Sequence, residues 1–385
     1  MRTVAAIVFF SIFFALTGLI SFYIFIRGLE SIPAESSLRN AYAVLFWTVA
    51  LSFAAVRLTE RILPSIVRDC LLWMGSFWIA AMLYFFIAAV SLDFLRLANR
   101  FLPLLPPALV RHQALAHYAA AWTVLVAVVA VVAAGHINSL IPRTRRLDLA
   151  VEKRIPTMKS LSIAAAGDLH LGALVGRPRL VEIVNRINSL NPDVVLLLGD
   201  IVDEDLDAVI CHNLGEALTN IRARYGVYGV TGNHEYIGGV DRACSYLHEH
   251  GVVMLRDSVA KVADSFYLVG REDRSAQRFA ALRRKGLDEL MAGVDRRLPV
   301  ILMDHEPFAL NEAASQEVDL ELAGHTHYGQ LWPLNYIVRR LYELAWGYKK
   351  IGRTHFYVTD GVGTWGPPVR IGNRPEIVCI RLRML

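Results

Sequence analysis

The sequence predicts an α/β domain of two packed sheets covered by helices, preceded by an all-α transmembrane domain of about four spans. Two observations carry this expectation. Apolar residues are concentrated before residue 143, and from residue 160 onward short β-rich runs alternate with amphipathic helices, most of the runs leading into an Asp, Asn or His. The chain has 385 residues, enough for two structural units, and 55% of them are hydrophobic with a mean hydropathy of +0.39. That balance is too apolar for a chain wholly in water, so part of it belongs in lipid.

A helix crossing a bilayer core of roughly 30 Å needs about 20 apolar residues, because lipid offers backbone groups no partner outside the helix. Four stretches qualify: Val4 to Ile26, Asn40 to Val56 (the shortest), Cys70 to Leu92, and Leu115 to Ala134. The first outruns the roughly 7–15 apolar residues of a signal peptide and is followed by no small-x-small cleavage site, so it reads as a retained span. Residues 93–114 place Arg96, Arg100 and Arg111 among leucines and the prolines 103, 106 and 107, the pattern of an interfacial loop.

Four spans put both ends of the helical part on one side, and the basic residues near the span ends then orient it. Arg2, Arg57, Arg61, Arg68, Arg143, Arg145, Arg146, Lys153 and Arg154 fall on that side; Arg27, Arg39, Arg96, Arg100 and Arg111 fall on the other. Nine against five places the following domain in the cytoplasm. Within the spans no ionisable residue stands out beyond His117 and His136 near the ends of the fourth, so no proton or ion path is expected. The resulting division is a transmembrane domain over 1–145, a linker over 146–159 and a chemical domain over 160–385.

Composition also excludes some functions. Cys70, Cys211, Cys244 and Cys379 form no CxxC pair and no regular framework, which argues against zinc-thiolate chemistry or a disulfide scaffold and for free thiols. The net charge of +5 sits in arginines flanking apolar segments rather than in a basic patch interleaved with aromatics, so nucleic acid is not the expected partner.

In the chemical domain, Leu161 to Ala166 reads as a strand leading into Gly167-Asp168-Leu169-His170. Pro178, a favoured first-turn residue, opens a helix whose Leu180, Ile183, Val184, Ile187 and Leu190 recur at helical spacing. Strands over Val194 to Leu198 and Tyr225 to Val230 lead into Gly199-Asp200 and Gly232-Asn233-His234-Glu235. Pro299 to Met303 leads into Asp304-His305, and Val318 to Ala323 into Gly324-His325-Thr326-His327. Phe356 to Val358 and Ile377 to Leu382 supply closing strands. Ligands of open α/β sheets gather outside the carboxyl ends of strands, where these donors fall.

Singly, an Asp-x-His or a Gly-Asp is most often a turn; together and in this order they form a set. Asp168, His170, Asp200, Asn233, His305, His325 and His327 are oxygen and imidazole donors, suited to Mn²⁺, Fe²⁺/Fe³⁺ or Zn²⁺. Two ions need a bridging group, and a carboxylate such as Asp200 has two anionic oxygens for it. Such a pair clamps a phosphoryl oxygen and lowers the pKa of a water, giving hydroxide near neutral pH.

The run Gly-Asp-Leu-His, Gly-Asp-Ile-Val-Asp, Gly-Asn-His-Glu, Asp-His-Glu-Pro and Gly-His-Thr-His resembles the five-motif pattern of the calcineurin-like metallophosphoesterases, across essentially all of residues 160–385. The resemblance implies a four-layer α/β/β/α fold. It assigns Asp168, His170 and His327 to one metal, Asn233, His305 and His325 to the other, and Asp200 to both, with His234 contacting the phosphate and protonating the leaving oxygen.

The closing segment from Gly361 through Trp365 and Pro367-Pro368 to Arg370 resembles the branch that includes membrane-associated bacterial phosphodiesterases, implying a bacterial inner membrane. Trp365 and Arg370 are weak candidates for an acyl or sugar group and a phosphate, against the alternatives that Trp365 packs and Arg370 pairs with Glu376; Arg177 is weaker still. The expected activity is hydrolysis of a phosphodiester or pyrophosphate bond in a lipid-linked or nucleotide-lipid substrate. The alternatives are a phosphatase of soluble substrates and a metal-binding sensor without turnover.

Overall fold

The computed structural model describes residues 2–59, 62–155 and 158–385, without the side chains of residues 2–10 and 108. Arg61 and the side chain of Arg2 from the charge count, and Pro156 and Thr157 of the expected linker, lie outside the described residues. Contacts divide the chain into one unit of Met1–Ile137 with Gly366–Val369 and a second of Asn138–Trp365 with Arg370–Leu385.

The first unit contains α1 (Arg2–Leu29), α2 (Leu38–Thr59), α3 (Ser65–Ala98), α4 (Pro107–Arg111) and most of α5 (Gln113–Leu140). Four of these helices are long and apolar enough to cross a membrane, and each contains one of the expected stretches. Ile24, Phe46, Trp78 and Met82 pack α1, α2 and α3 together, with the Phe46 and Trp78 rings edge-on at 4.9 Å. Gly75 permits the close approach of α3 to α2, since a Cβ there would come within 2.5 Å of the Phe53 nitrogen. The third helix outruns its apolar stretch at both ends, which carries Asp93 onto it. There Asp93 pairs with Arg27 at 2.6 Å and accepts from the Tyr23 hydroxyl at 2.5 Å.

The second unit runs β1 (Arg143–Val151), β2 (Ser160–Ala166), α6 (Arg177–Ser189), β3 (Val194–Leu198), α7 (Leu206–Cys211), α8 (Gly215–Leu218), β4 (Val227–Val230), α9 (Asn233–Gly238), α10 (Val240–Glu249) and β5 (Val252–Met254). It continues through β6 (Ser258–Val262), β7 (Phe266–Gly270), α11 (Leu287–Met291), β8 (Val300–Met303), α12 (Leu310–Ser315) and β9 (Leu320–Ala323). Last come α13 (Leu334–Leu341), β10 (Gly347–Ile351), β11 (Thr354–Val358) and β12 (Glu376–Met384). One mixed sheet has the order β1-β12-β2-β3-β4-β5, the other β10-β11-β9-β8-β7-β6.

Side chains alternate across a strand, so each sheet needs cover on both faces. Ile163, Leu196, Val230 and Ile380 of the first sheet meet Leu268, Ile301, Leu322 and Tyr357 of the second in a shared core. The opposite face of the first sheet, with Ala164, Val195 and Leu197, packs on Leu180, Ile183 and Ile187 of α6 and Leu247 of α10. That of the second, with Val269, Val300 and Leu302, packs on Leu290 of α11 and Leu310 of α12. The layering is α/β/β/α.

One expectation fails. Residues 146–151, assigned to a linker, form most of β1, which pairs in parallel with β12 from Arg143 opposite Glu376 to Val151 opposite Met384. The run Arg-Thr-Arg-Arg-Leu-Asp-Leu-Ala-Val looks like a basic membrane flank because its outward positions are charged, while Leu149 and Val151 enter the shared core.

Candidate metal centre

The candidate donors converge at the carboxyl ends of β2, β3, β8 and β9 and at the start of α9. Asp168, His170 and His327 form one cluster and Asp200, His305 and His325 another, the ligand atoms within each lying within 4.8 Å of one another. Asn233 joins the second through its Oδ1, 2.9 Å from His325 Nδ1. Asp200 stands between the clusters: its Oδ2 is 3.1 Å from His305 Nε2 and 3.9 Å from His170 Nε2.

The backbone is bent to make this possible. Asp168, His170, Asp200, His325 and His327 all have φ between 45° and 69°, the left-handed region that side-chain-bearing residues rarely enter. Each such residue costs of order 1–3 kcal/mol and persists only where its surroundings over-determine it. Those surroundings are identifiable. Glu235 accepts from the backbone N–H groups of Asp200, Val202 and Gly232, the Asp200 Oδ1 accepts from His234 N–H, and the Asp168 Oδ1 accepts from His325 N–H. Gly232 is required by contact, since a Cβ there would lie 2.2 Å from Asp200 Oδ1.

The protein atoms alone leave this set poorly satisfied, and that tests whether cations fit. His170 Nε2 and His327 Nε2 face each other at 3.0 Å, and Asp168 Oδ2 and His305 Nε2 are buried without a hydrogen-bond partner. His305 Nδ1 donates to the Leu198 carbonyl at 2.7 Å, which aims Nε2 at Asp200; burial would lower its pKa, but Asp200 raises it well above the usual imidazole range, so a cation would have to take the place of that proton. Burial pushes His325 down to about 3 and His327 well below the usual imidazole range, so both are neutral, as metal ligands must be. Burial would raise Asp200, but His305 and His234 beside it hold it well below the usual carboxylate range. Neutral imidazoles and buried carboxylate oxygens gathered in two clusters fit the binding of divalent metal.

Above the clusters, His234 lies with its Nδ1 2.8 Å from Asp203 Oδ1 and its ring 4.6 Å from that of His170. Burial would lower its pKa; Asp200 and Asp203 overcome that and raise it to about 10, so His234 carries a proton at neutral pH. Asp203 and Glu235 were given no role from sequence. Both stand inside the quoted motifs, three residues after Asp200 and directly after His234, and that adjacency was the available signal.

Of the weaker candidates, Trp365 is 55% exposed with its ring 6.3 Å from that of His234. Arg370 is buried and donates to the Gly361 and Gly363 carbonyls, bracing the loop behind His327. It does not pair with Glu376, whose partners are Arg143, Trp346 and Tyr357. Arg177 is a surface residue engaged with Glu216 and the Asn213 carbonyl.

Comparison with known proteins adds independent findings. The sequence profile described as calcineurin-like phosphoesterase matches residues 161–329. A Danio rerio protein named "Transmembrane protein with metallophosphoesterase domain" is 35% identical over 256 residues, 63% of this chain and 57% of that protein, so the match spans little more than half of that relative. An "Uncharacterized metallophosphoesterase" of Aquifex aeolicus is 30% identical over 251 residues, 64% of this chain and 94% of its own length. Among solved structures, a 5'-nucleotidase precursor from Thermus thermophilus aligns with a TM-score of 0.35 at 14% identity, over 58% of this chain and 54% of its own.

Proposed function

Because the chain belongs to the calcineurin-like metallophosphoesterases, we infer that it is a membrane-bound hydrolase of phosphodiester or pyrophosphate bonds, acting on a lipid-linked or nucleotide-lipid substrate. The single observation that carries this reading is Asp200 Oδ2, set between two histidine-containing clusters. Asp168, His170 and His327 would hold one ion, Asn233, His305 and His325 the other, and Asp200 both. When bound, such a pair polarises a phosphoryl oxygen and makes hydroxide available near neutral pH; Mn²⁺, Fe and Zn²⁺ all suit the donors.

The protein's own residues then have distinct tasks. Asp203 pairs with His234 at Nδ1 and leaves Nε2 to donate a proton to the departing oxygen, and Trp365 flanks that position. Pure metal storage has no use for a charged imidazole beside the clusters, which favours turnover over a sensor role. The membrane helices raise the effective concentration of the centre toward phosphates carried in the bilayer. The basic residues near the spans favour a cytoplasmic catalytic domain at a bacterial inner membrane.

Detergent-solubilised protein with Mn²⁺ is expected to hydrolyse bis-p-nitrophenyl phosphate, and Asp200→Asn to abolish both turnover and binding of the second metal equivalent. Equal turnover by wild type and Asp200→Asn would overturn the reading. Faster turnover of soluble nucleotides than of lipid-borne pyrophosphates would move the substrate class to soluble phosphoesters.

A further inference from the structure

Every helix of the catalytic unit buries part of itself except one. Among the described residues, α13 is the helix of this unit with no buried side chain. Its sequence is Leu-Asn-Tyr-Ile-Val-Arg-Arg-Leu, and at about 100° per residue Leu334, Ile337, Val338 and Leu341 share one face while Asn335 and Arg339 take the other. On a soluble domain that apolar face turns to the core. Here Ile337 is 58% and Leu341 66% exposed.

Two further features say what covers it. Trp332, just before the helix, and Tyr336 within it are also exposed, and indole and phenol rings favour the boundary between headgroups and acyl chains. Arg339 and Arg340 occupy the last turn, and neither pairs with a carboxylate among the described residues. Unpaired cations disfavour a second copy of the same helix, which would bring like charge to the contact, and favour an anionic surface. The chain also supplies the bilayer: it has four helices able to cross one, and only Ile141 and Pro142 separate α5 from β1.

We propose that α13 docks in the anionic headgroup layer of the membrane, with Ile337 and Leu341 entering the acyl boundary and Arg339 and Arg340 on lipid phosphates. The docked helix adjoins the candidate centre. It begins seven residues after His327, and the turn between them is tight enough that a Cβ on Gly329 would come within 2.6 Å of the Asn335 nitrogen. Docking thus holds the His327 loop at the lipid surface, where a membrane-borne phosphoester presents its headgroup. The docking stands apart from what the centre hydrolyses; its benefit for lipid-borne esters rests on the phosphoesterase reading above.

The test uses the full chain in nanodiscs. Ile337→Cys, carrying an environment-sensitive nitrobenzoxadiazole label on a background of Cys70→Ser, Cys211→Ser and Cys379→Ser, is expected to show blue-shifted emission that brominated acyl chains quench when phosphatidylglycerol is present. Replacing Arg339 and Arg340 by alanine is expected to reduce the docked-to-undocked ratio about five-fold for each arginine, the equivalent of about 1 kcal/mol per basic residue at an anionic surface. Emission characteristic of water, unquenched with or without anionic lipid, overturns the proposal. Ile337→Glu with Leu341→Glu is expected to slow turnover of a bilayer-borne ester at least ten-fold while bis-p-nitrophenyl phosphate is hydrolysed at the wild-type rate. Equal slowing on both substrates overturns the docking role. Absence of soluble-ester turnover in the wild type would sink the hydrolase reading, and the quenching result would still decide the docking.

Discussion

His234 is held between two carboxylates with different work to do. Asp200 stands between the two candidate clusters, whereas the Asp203 carboxylate faces the imidazoles of His234 at 2.8 Å and His170 at 3.7 Å. Asp203→Asn should therefore lower turnover about 10- to 100-fold, the usual effect of losing a partner that orients a metal-site histidine. It should also shift the basic limb of the pH–rate profile to lower pH, because Asp203, which with Asp200 raises His234 to about 10, has lost its charge. A basic limb unmoved in the variant would separate His234 from proton transfer. A different buried acid bears on stability. Glu321 on β9 is fully enclosed, and burial, with Asp304 nearby, pushes its carboxyl well above the ordinary range. The folded state then holds this proton more tightly than the unfolded chain, so the stabilisation is complete below the ordinary carboxyl pKa and lost as pH rises toward the folded value. Glu321→Gln should melt higher than wild type at neutral pH, with the gap closing in acid; thermal melts across pH check this. The candidate donors at this scale are legible because their motifs are contiguous. Arg370 is not legible in this way, because a side chain donating to its own loop looks, in sequence, like one facing a ligand.

At the scale of elements, the strand ends are shaped by glycine at very few places that matter. Gly199 closes β3 with a φ of 83°, and a Cβ there would sit 2.5 Å from His305 Nδ1. Gly199→Ala is accordingly expected to displace His305 and Asp200 together, with loss of metal binding by calorimetry and a near-native circular dichroism spectrum. Metal affinity within two-fold of wild type would show that the loop relaxes instead. The central strands were readable because their residues are buried on both faces and form unbroken apolar runs, as in Val194 to Leu198. Edges were less so. Tyr225 was expected in a strand but precedes it, because Gly226 turns the chain at a φ of 88°. The first strand was missed because charge on its outward positions imitates the basic flank of a membrane span.

For the whole molecule, the orientation inferred from basic residues makes a labelling prediction. Cys211 is exposed on α7 of the catalytic unit, and in a Cys70→Ser background a membrane-impermeant maleimide should reach it in intact cells only after permeabilisation of the membrane that holds the spans. Labelling before permeabilisation would put the catalytic unit outside and reverse the charge argument. The two-part architecture was visible in composition, since lipid and water select different residues. The seam was misplaced because its residues serve both as a flank and as a strand. That strand also governs the order of assembly. Arg143 pairs with Glu376, 233 positions downstream, and the strand that includes Glu376 lies between β1 and β2. During synthesis the spans and the first strand are made early, but the gap beside β2 stays open until the ribosome has delivered the late strand. A nascent chain interrupted before that point therefore leaves β1 without its partner and the edge of β2 open, strand edges that can pair with another chain.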